Sequence, residues 1–213
     1  MNHKRRLWSW LLVLTIVVAA LGCAFWLDPF VHSWVREHQS RPAKIFMQNV
    51  SRFGDWPEHV GLGLVLAGLA WWRGNKKWTR VFLSMLIACA IAGAAARVIK
   101  ITTGRARPSV KTEEIWNGPR LSEKFHAFPS GHTAASTAFF GVLFFASWRI
   151  GLACLPIPLL IAASRVYVAA HYLSDVVFAA SLGFLSAYIV ARFMLGPIPN
   201  PKTCPERNAA DSN

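Results

Sequence analysis

Three cationic side chains lie close to the ends of apolar segments in this chain: Lys100, Arg107 and Arg165. Unpaired charge is costly in so apolar a chain, so these cations are expected to bind an anion. Arginine offers forked donors that hold two oxygens at once, and lysine supplies a compact charge. The three side chains therefore predict a binding site for a phosphoryl group.

A short polar sequence, Pro129-Ser130-Gly131-His132, precedes another apolar segment. At the start of a helix, free N–H groups and the helix dipole favour a negative charge. A hydroxyl and an unhindered glycine backbone would add to that preference. Ser130 and Gly131 are thus predicted to complete a cradle for a tetrahedral oxyanion.

Two histidines could catalyse a reaction of the bound phosphoryl group. His171 and Asp175 are four residues apart, so on a helix the carboxylate could reach one ring nitrogen and leave the other free to attack phosphorus. His132 could protonate the departing oxygen and later accept a proton from water. Asp175 is the one acid within these three motifs, so the sequence predicts no metal ion and no cofactor, with the cations neutralising phosphoryl charge instead.

The elements that must position these residues are apolar helices. Residues 7–27 form a run of 21 residues without a charge, and about 20 apolar residues span a bilayer core. The length favours a retained helix over a cleaved signal sequence, whose apolar region is about 7–15 residues. Five shorter apolar segments follow, at residues 60–72, 81–96, 133–148, 150–163 and 176–191. We therefore expect an all-α polytopic membrane protein with six transmembrane helices.

Composition excludes several classes of protein. Hydrophobic residues make up 54% of the 213 residues and charged residues 15%, against about 45–50% and 25% in soluble proteins. This disfavours a disordered chain or an ordinary soluble enzyme. The net charge of +13 comes from basic residues between apolar runs, which is typical of membrane loops and does not indicate a nucleic-acid partner. The four cysteines have no CxxC spacing, so neither a disulfide framework nor a zinc site is expected.

The six-helix arrangement puts all three motifs on one side of the membrane, because odd-numbered helices end there and even-numbered helices begin there. With the N-terminus inside, the inner loops carry eleven basic residues and the outer loops ten. Four of the inner ones crowd residues 73–80, which favours a cytoplasmic N-terminus. The active site is then expected at the outer membrane–water interface, facing the periplasm of a bacterial inner membrane.

The sequence also carries predictions for the domain boundary and for the segment between the first two apolar runs. Residues 1–195 are expected to form one domain, and residues 196–213 contain too much proline to fold alone, so we expect a disordered tail. Residues 28–57 carry apolar and basic side chains at helical spacing: Phe46, Val50 and Phe53 beside Lys44 and Arg52. This pattern fits a helix on the membrane surface and a packed loop helix equally well.

The three motifs match the signatures KxxxxxxRP from Lys100 to Pro108, PSGH from Pro129 to His132, and SRxxxxxHxxxD from Ser164 to Asp175. On these residues the chain resembles the type 2 phosphatidic acid phosphatase superfamily of membrane lipid phosphatases. The resemblance implies that His171 forms a phosphohistidine, that Asp175 orients it, and that His132 is general acid and then base. It also implies a set of residues that hold the phosphoryl oxygens: Lys100, Arg107, Ser130, Gly131 and Arg165.

The implied substrate is a lipid phosphate or diphosphate, and undecaprenyl diphosphate, phosphatidic acid, phosphatidylglycerol phosphate and lipid A all remain open, as does the oligomeric state. Two alternatives are a non-catalytic anionic-lipid binder or transporter, and a vanadate-dependent haloperoxidase. The first leaves the two histidines and Asp175 unexplained, and the second is expected to be soluble. Arg97 and Arg105 have no position in the signatures, so we expect them to extend toward lipid headgroups.

Overall fold

The computed structural model describes residues 3–196, which contain helices and no strand. The expected all-α architecture is therefore confirmed for this part of the chain. The helices, in chain order, are α1 (His3–His38), α2 (Arg41–Arg52), α3 (Trp56–Trp72), α4 (Lys76–Thr103), α5 (Gly131–Ala146), α6 (Trp148–Cys154), α7 (Pro156–Tyr167) and α8 (Leu173–Met194). A 3-10 helix, Glu123–Phe125, interrupts the long loop between α4 and α5.

Four of the six predicted apolar segments lie within single helices, whereas segments 133–148 and 150–163 each cross a break between two helices. The first helix does not end at Leu27, since α1 continues through Asp28 and Pro29 to His38. The predicted segment 150–163 is divided between α6 and α7, and α7 begins at Pro156. Proline has no N–H to donate and fits the first turn of a helix, so it begins α7 there.

Four helical segments are long and apolar enough to cross a membrane: Leu7–His38, Lys76–Thr103, Trp148–Tyr167 and Leu173–Met194. The helix α5 is a shorter apolar helix of 16 residues, and α3 has 17. Large apolar side chains cover the outer surface of the bundle, with Leu12 62% and Val18 60% exposed. Such a surface suits a hydrocarbon solvent, in which helices satisfy their own backbone groups.

The core forms where α4, α5 and α8 pack against one another. Its fully buried residues include many alanines: Ala88, Ala92 and Ala96 of α4, Ala134 and Ala138 of α5, and Ala179 and Ala187 of α8. Small side chains allow helix backbones to approach closely. Because α4 ends where α5 and α8 begin, Lys100, His132 and Asp175 lie at the same end of the bundle.

A glycine ends α4 at that end of the bundle. Gly104 has a φ of 55°, and its N–H donates to the Lys100 carbonyl at 3.2 Å. The left-handed conformation suits glycine, and an added side chain would collide with the Gly118 carbonyl. The chain therefore turns one residue after the helix and places Arg105 in the interior.

The helix α2 accounts for part of residues 28–57. It is capped by Ser40, whose Oγ accepts the Ala43 N–H at 3.4 Å, and it packs against α7. Ile45 and Phe46 are 51% and 58% exposed. The helix thus combines a packed face with an exposed apolar face. Apart from Gly196, the expected disordered tail lies outside the described residues.

Candidate active site

The start of α5 is joined to the start of α8. Ser130 caps α5, and its Oγ accepts bonds from the Thr133 N–H at 3.5 Å and the Thr133 hydroxyl at 3.0 Å. The Ser130 N–H donates to the Asp175 carbonyl at 3.2 Å. Gly131, the first residue of α5, is left facing a cavity. The predicted cradle residues therefore occupy a rigid helix start.

That cavity, of about 660 Å³, lies among α3, α4 and α5 and has two chemically different parts. Its polar part is lined by cations, carboxylates, two histidines and the glycine at the start of α5: Arg97, Lys100, Arg107, Asp55, Glu123, His126, His132 and Gly131. Apolar and small residues line its other part: Val60, Leu86, Cys89, Ala90, Gly93 and Ala94. The arrangement can hold an anion that is attached to an apolar group.

A second cavity of about 340 Å³ lies beside α2 and α7. Arg165 lines it and donates to the Ser51 hydroxyl. His132 and Asp55 line both cavities and therefore stand between them. The Nε atoms of Arg107 and Arg165 are buried without a hydrogen-bond partner among the described residues. Buried donors of this kind normally have partners, and these two line the cavities, where they are free to serve a bound anion. The Nε of Arg105 is also without a partner in the described part of the chain, but that side chain is bound to Asp28 and Asp175.

His171 lies apart from both cavities. Its side chain is 2% exposed, and its Nδ1 is 2.6 Å from the Ala127 carbonyl. A carbonyl only accepts, so Nδ1 carries the hydrogen and Nε2 carries the lone pair. The pKa of His171 is lowered to about 4, mainly by burial and in smaller part by repulsion from Arg165 and Lys100, against the opposing effect of Asp175. The ring is therefore neutral at neutral pH.

The Asp175 carboxylate approaches a ring nitrogen of His171, but the two residues do not share a helix, so the predicted helical spacing was wrong. The helix α8 begins at Leu173, and Asp175 lies in its first turn, where its Oδ2 accepts the Tyr172 N–H at 2.7 Å. A carboxylate is stabilised at a helix start because the N–H groups there lack partners. Oδ2 is 3.5 Å from the His171 Nδ1, which makes the Ala127 carbonyl the nearer partner of the ring.

Arg105 does not extend toward headgroups, which corrects another expectation. Its side chain is 4% exposed and donates to Asp175 at 2.5 Å, to Ser174 at 2.7 Å and to Asp28 at 2.8 Å. Its guanidinium carbon is 4.2–5.3 Å from the centres of three rings: Phe25, Trp116 and Tyr172. Two buried carboxylates require a cation, and Arg105 supplies it. This network links α1 to the start of α8.

His132 has a partner that sequence reasoning did not find. Its Nε2 is 2.6 Å from the Oδ1 of Asp55, in the loop between α2 and α3. Burial, and then the Glu58 charge, raises the pKa of Asp55, and Arg165 opposes the rise.

Three charged residues were thus missed: Asp28, Arg105 and Asp55. A lone carboxylate that follows a long apolar run was a usable signal for Asp28, because such a charge needs a partner. Nothing in the local sequence distinguishes Asp55 or Arg105. The structure divides the predicted site residues into three groups. Lys100, Arg107, Gly131 and His132 line the larger cavity, and Arg165 and His132 line the smaller one. His171 and Asp175 are buried and line neither cavity.

An apolar helical bundle that carries this basic site is the architecture of an integral membrane enzyme acting on phosphate. The chain belongs to the PAP2 superfamily, whose family model matches residues 77–197. The match includes all three motifs, so the family resemblance is confirmed. Relatives of the chain within this superfamily are named as phosphatases of lipid phosphates.

Two curated relatives are phosphatases. The chain is 29% identical over 183 residues to lipid A 1-phosphatase of Rhizobium johnstonii, covering 73% of each chain. It is 27% identical over 170 residues to probable diacylglycerol pyrophosphate phosphatase 1 of Schizosaccharomyces pombe, covering 63% of this chain and 61% of the relative. The matched region thus spans about three fifths of the fission yeast protein.

Two solved structures share the fold. The PAP2 type phosphatidylglycerolphosphate phosphatase of Bacillus subtilis aligns with a TM-score of 0.65 at 22% identity, covering 87% of this chain and 94% of that one. LpxE of Aquifex aeolicus aligns with a TM-score of 0.55 at 18% identity, covering 78% and 95%. At these identities the likeness concerns the fold alone.

Proposed function

We propose that the protein is a metal-independent phosphatase that hydrolyses a lipid phosphate or diphosphate through a phosphohistidine intermediate. The observation that carries this proposal is the larger cavity, which joins the cations Lys100 and Arg107 and the imidazole of His132 to an apolar wall. Undecaprenyl diphosphate, phosphatidic acid, phosphatidylglycerol phosphate and lipid A all combine a phosphate with an apolar portion. A non-catalytic anionic-lipid binder with the same basic pocket is the alternative.

In the first step, the neutral His171 attacks phosphorus through Nε2. A phosphorus–nitrogen bond forms, the bond to the leaving oxygen breaks, and His132 gives that oxygen a proton. The Ala127 carbonyl, 2.6 Å from Nδ1, supports this role because it keeps the hydrogen on the other ring nitrogen. Five residues are assigned to the phosphoryl oxygens: Lys100, Arg107, Ser130, Gly131 and Arg165.

In the second step, His132 takes a proton from water, and the resulting hydroxide attacks phosphorus. The phosphorus–nitrogen bond breaks, inorganic phosphate leaves, and His171 is neutral again. Fixed cations stabilise the charge that develops on the oxygens, since their positions are set before the reaction. Within residues 3–196 there is no group of three or more His, Cys, Asp or Glu side chains that could hold a metal ion.

The proposal includes six membrane helices and an active site at the outer interface of a bacterial inner membrane, facing the periplasm. The helix α4 supports it, because its 28 residues rise about 42 Å at 1.5 Å per residue. Lys76 begins this helix and Lys100 lies in its last turn, so the two occupy opposite ends of a membrane-length element. Four basic residues at positions 73–80, one in the preceding turn and three at the start of α4, favour the cytoplasm for that end.

We expect the purified protein to release inorganic phosphate from at least one of the four candidate lipids, and to continue in EDTA. Fixed cations, which a chelator cannot remove, supply the neutralising charge. Phosphate release from each lipid is measured with EDTA, and again after addition of magnesium. Lipid binding without release would support the non-catalytic alternative, and activity that is lost in EDTA and restored by magnesium would contradict metal independence.

Cysteine labelling tests which side of the membrane the proposed active site faces. Ser109 and Lys111 lie in the loop after α4, and Lys76 is exposed at the start of that helix. In intact cells, a membrane-impermeant thiol reagent should label cysteine at position 109 or 111 and leave cysteine at position 76 unlabelled. The unsubstituted chain measures the background from its four native cysteines. Labelling at position 76 alone would put the site on the cytoplasmic side.

A further inference from the structure

Asp55 is held against His132 by its own backbone. The Asp55 N–H donates to the Arg52 carbonyl at 3.1 Å, and the Asp55 carbonyl is 2.8 Å from Nδ1 of His59. The preceding residue, Gly54, allows the loop to approach, since a side chain there would collide with Ile161 and lie close to the His132 ring. The fold therefore fixes the backbone of Asp55 beside His132, and the carboxylate, on a side chain that is 46% exposed, reaches the ring from there.

The Asp55–His132 contact distinguishes the two ring nitrogens. Nε2 lies 2.6 Å from the carboxylate oxygen, whereas Nδ1 has no hydrogen-bond partner among the residues the structure describes. A carboxylate only accepts, so the hydrogen of the neutral ring resides on Nε2. His132 lines both cavities with its side chain 24% exposed, which leaves Nδ1 available to a bound group.

We propose that Asp55 is the positioning residue of His132: it holds the Nε2 hydrogen, so that Nδ1 is the nitrogen that passes protons to the leaving oxygen and from water. This inference rests on the proposed phosphatase function, and it assigns a role to a residue outside the three motifs. Asp55 acts through His132 and needs no contact with the reacting atoms.

The charges around His132 explain why it requires a carboxylate. Four groups from neighbouring elements act on the His132 ring, and each is a cation or the second histidine: Lys100 from α4, Arg107 from the loop after it, Arg165 from α7 and His171 from the loop before α8. Burial first, and then these groups, disfavour the protonated ring, yet a general acid must be protonated before it donates. The Asp55 carboxylate favours the protonated ring. Asp55 itself is influenced by a further set of charged or titratable groups: Glu58, Arg165, His59 and Arg52.

The kinetic test compares Asp55→Asn with Glu58→Gln, an equal loss of charge one turn away on an exposed residue. With a lipid phosphate, Asp55→Asn should lower kcat by about 10²-fold, within the range typical of general acid–base catalysis, with little change in KM. With p-nitrophenyl phosphate, whose leaving group needs little protonation, the loss should be smaller. In Asp55→Asn the upper limb of the kcat–pH profile should shift to lower pH, because the variant lacks the negative charge that stabilises the protonated ring of His132.

A second measurement does not depend on turnover. In the full-length protein labelled with ¹⁵N-histidine, the His132 signals, assigned through His132→Gln, should report the Nε2–H tautomer. Asp55→Ala should shift the ring toward a mixture of tautomers, and Glu58→Gln should not. If the wild-type protein shows this Asp55-dependent tautomer but releases no phosphate, the proposed phosphatase function is overturned and the positioning of His132 by Asp55 is not. Unchanged tautomers in Asp55→Ala, or equal kinetic losses with both substrates at an unchanged pH limb, would overturn the role of Asp55.

Discussion

Alanine at His171 is expected to abolish turnover of every phosphate substrate, because the phosphorus–nitrogen bond has no other atom to form on. The chain buries this ring, keeps it neutral and directs its Nδ1 hydrogen to the Ala127 carbonyl at 2.6 Å. Alanine at His132 should leave the nucleophile intact. The missing proton should then slow the reaction of an alkyl lipid phosphate by about 10²–10⁴-fold.

Rapid-quench trapping of acid-labile phosphohistidine from a labelled aryl phosphate separates the two roles. The His132→Ala variant should form the intermediate and hydrolyse it slowly, since activation of water is also lost. The His171→Ala variant should form none. His38→Ala is the matched control, because His38 is exposed on the last turn of α1 and its ring bonds to the nearby Trp34 carbonyl. Phosphoenzyme in His171→Ala, or equal impairment of His132→Ala with aryl and alkyl leaving groups, would contradict the assignment.

The residues assigned to phosphate were predictable from sequence because each motif lies next to an apolar segment. Helix periodicity and length decide where an apolar segment turns back, so the sequence alone puts Lys100, Ser130 and Arg165 at one end of the bundle. The same reasoning predicted helices that are shorter than those in the structure. Charged residues such as Lys76 at the start of α4 and Arg97 in its last two turns are helical, and an apolar run does not include them.

The groups that orient the histidines could not be predicted in this way. His171 is oriented by a backbone carbonyl 44 positions away, and any residue type at position 127 would supply that oxygen. Asp55 and His132 are 77 positions apart, as are Asp28 and Arg105. Pairing over such separations depends on how helices pack, and single side chains do not encode it locally.

Replacing Arg105 by methionine is expected to destabilise the protein by about 3–5 kcal/mol, the usual cost of removing one partner from a buried ion pair. Methionine keeps much of the apolar volume that packs among the surrounding aromatic rings. It leaves Asp28 and Asp175 buried without their cation, at 6% and 0% exposure. Unfolding in detergent, followed by circular dichroism as denaturant is added, measures the loss. Arg80→Met, at an exposed position of α4, is the control and should change stability little.

A double substitution separates lost charge pairing from lost packing. If the cost of Arg105→Met comes from two unpaired carboxylates, adding Asp28→Asn should recover part of it, because an amide is cheaper to bury than a charge. The two changes would then be non-additive, as expected for groups in one network with Nη2 and Oδ2 2.8 Å apart. Additive losses would contradict the charge argument and assign the cost of Arg105→Met to packing among the three rings. Asp175 would still lack its cation in the double variant, so full recovery is not expected.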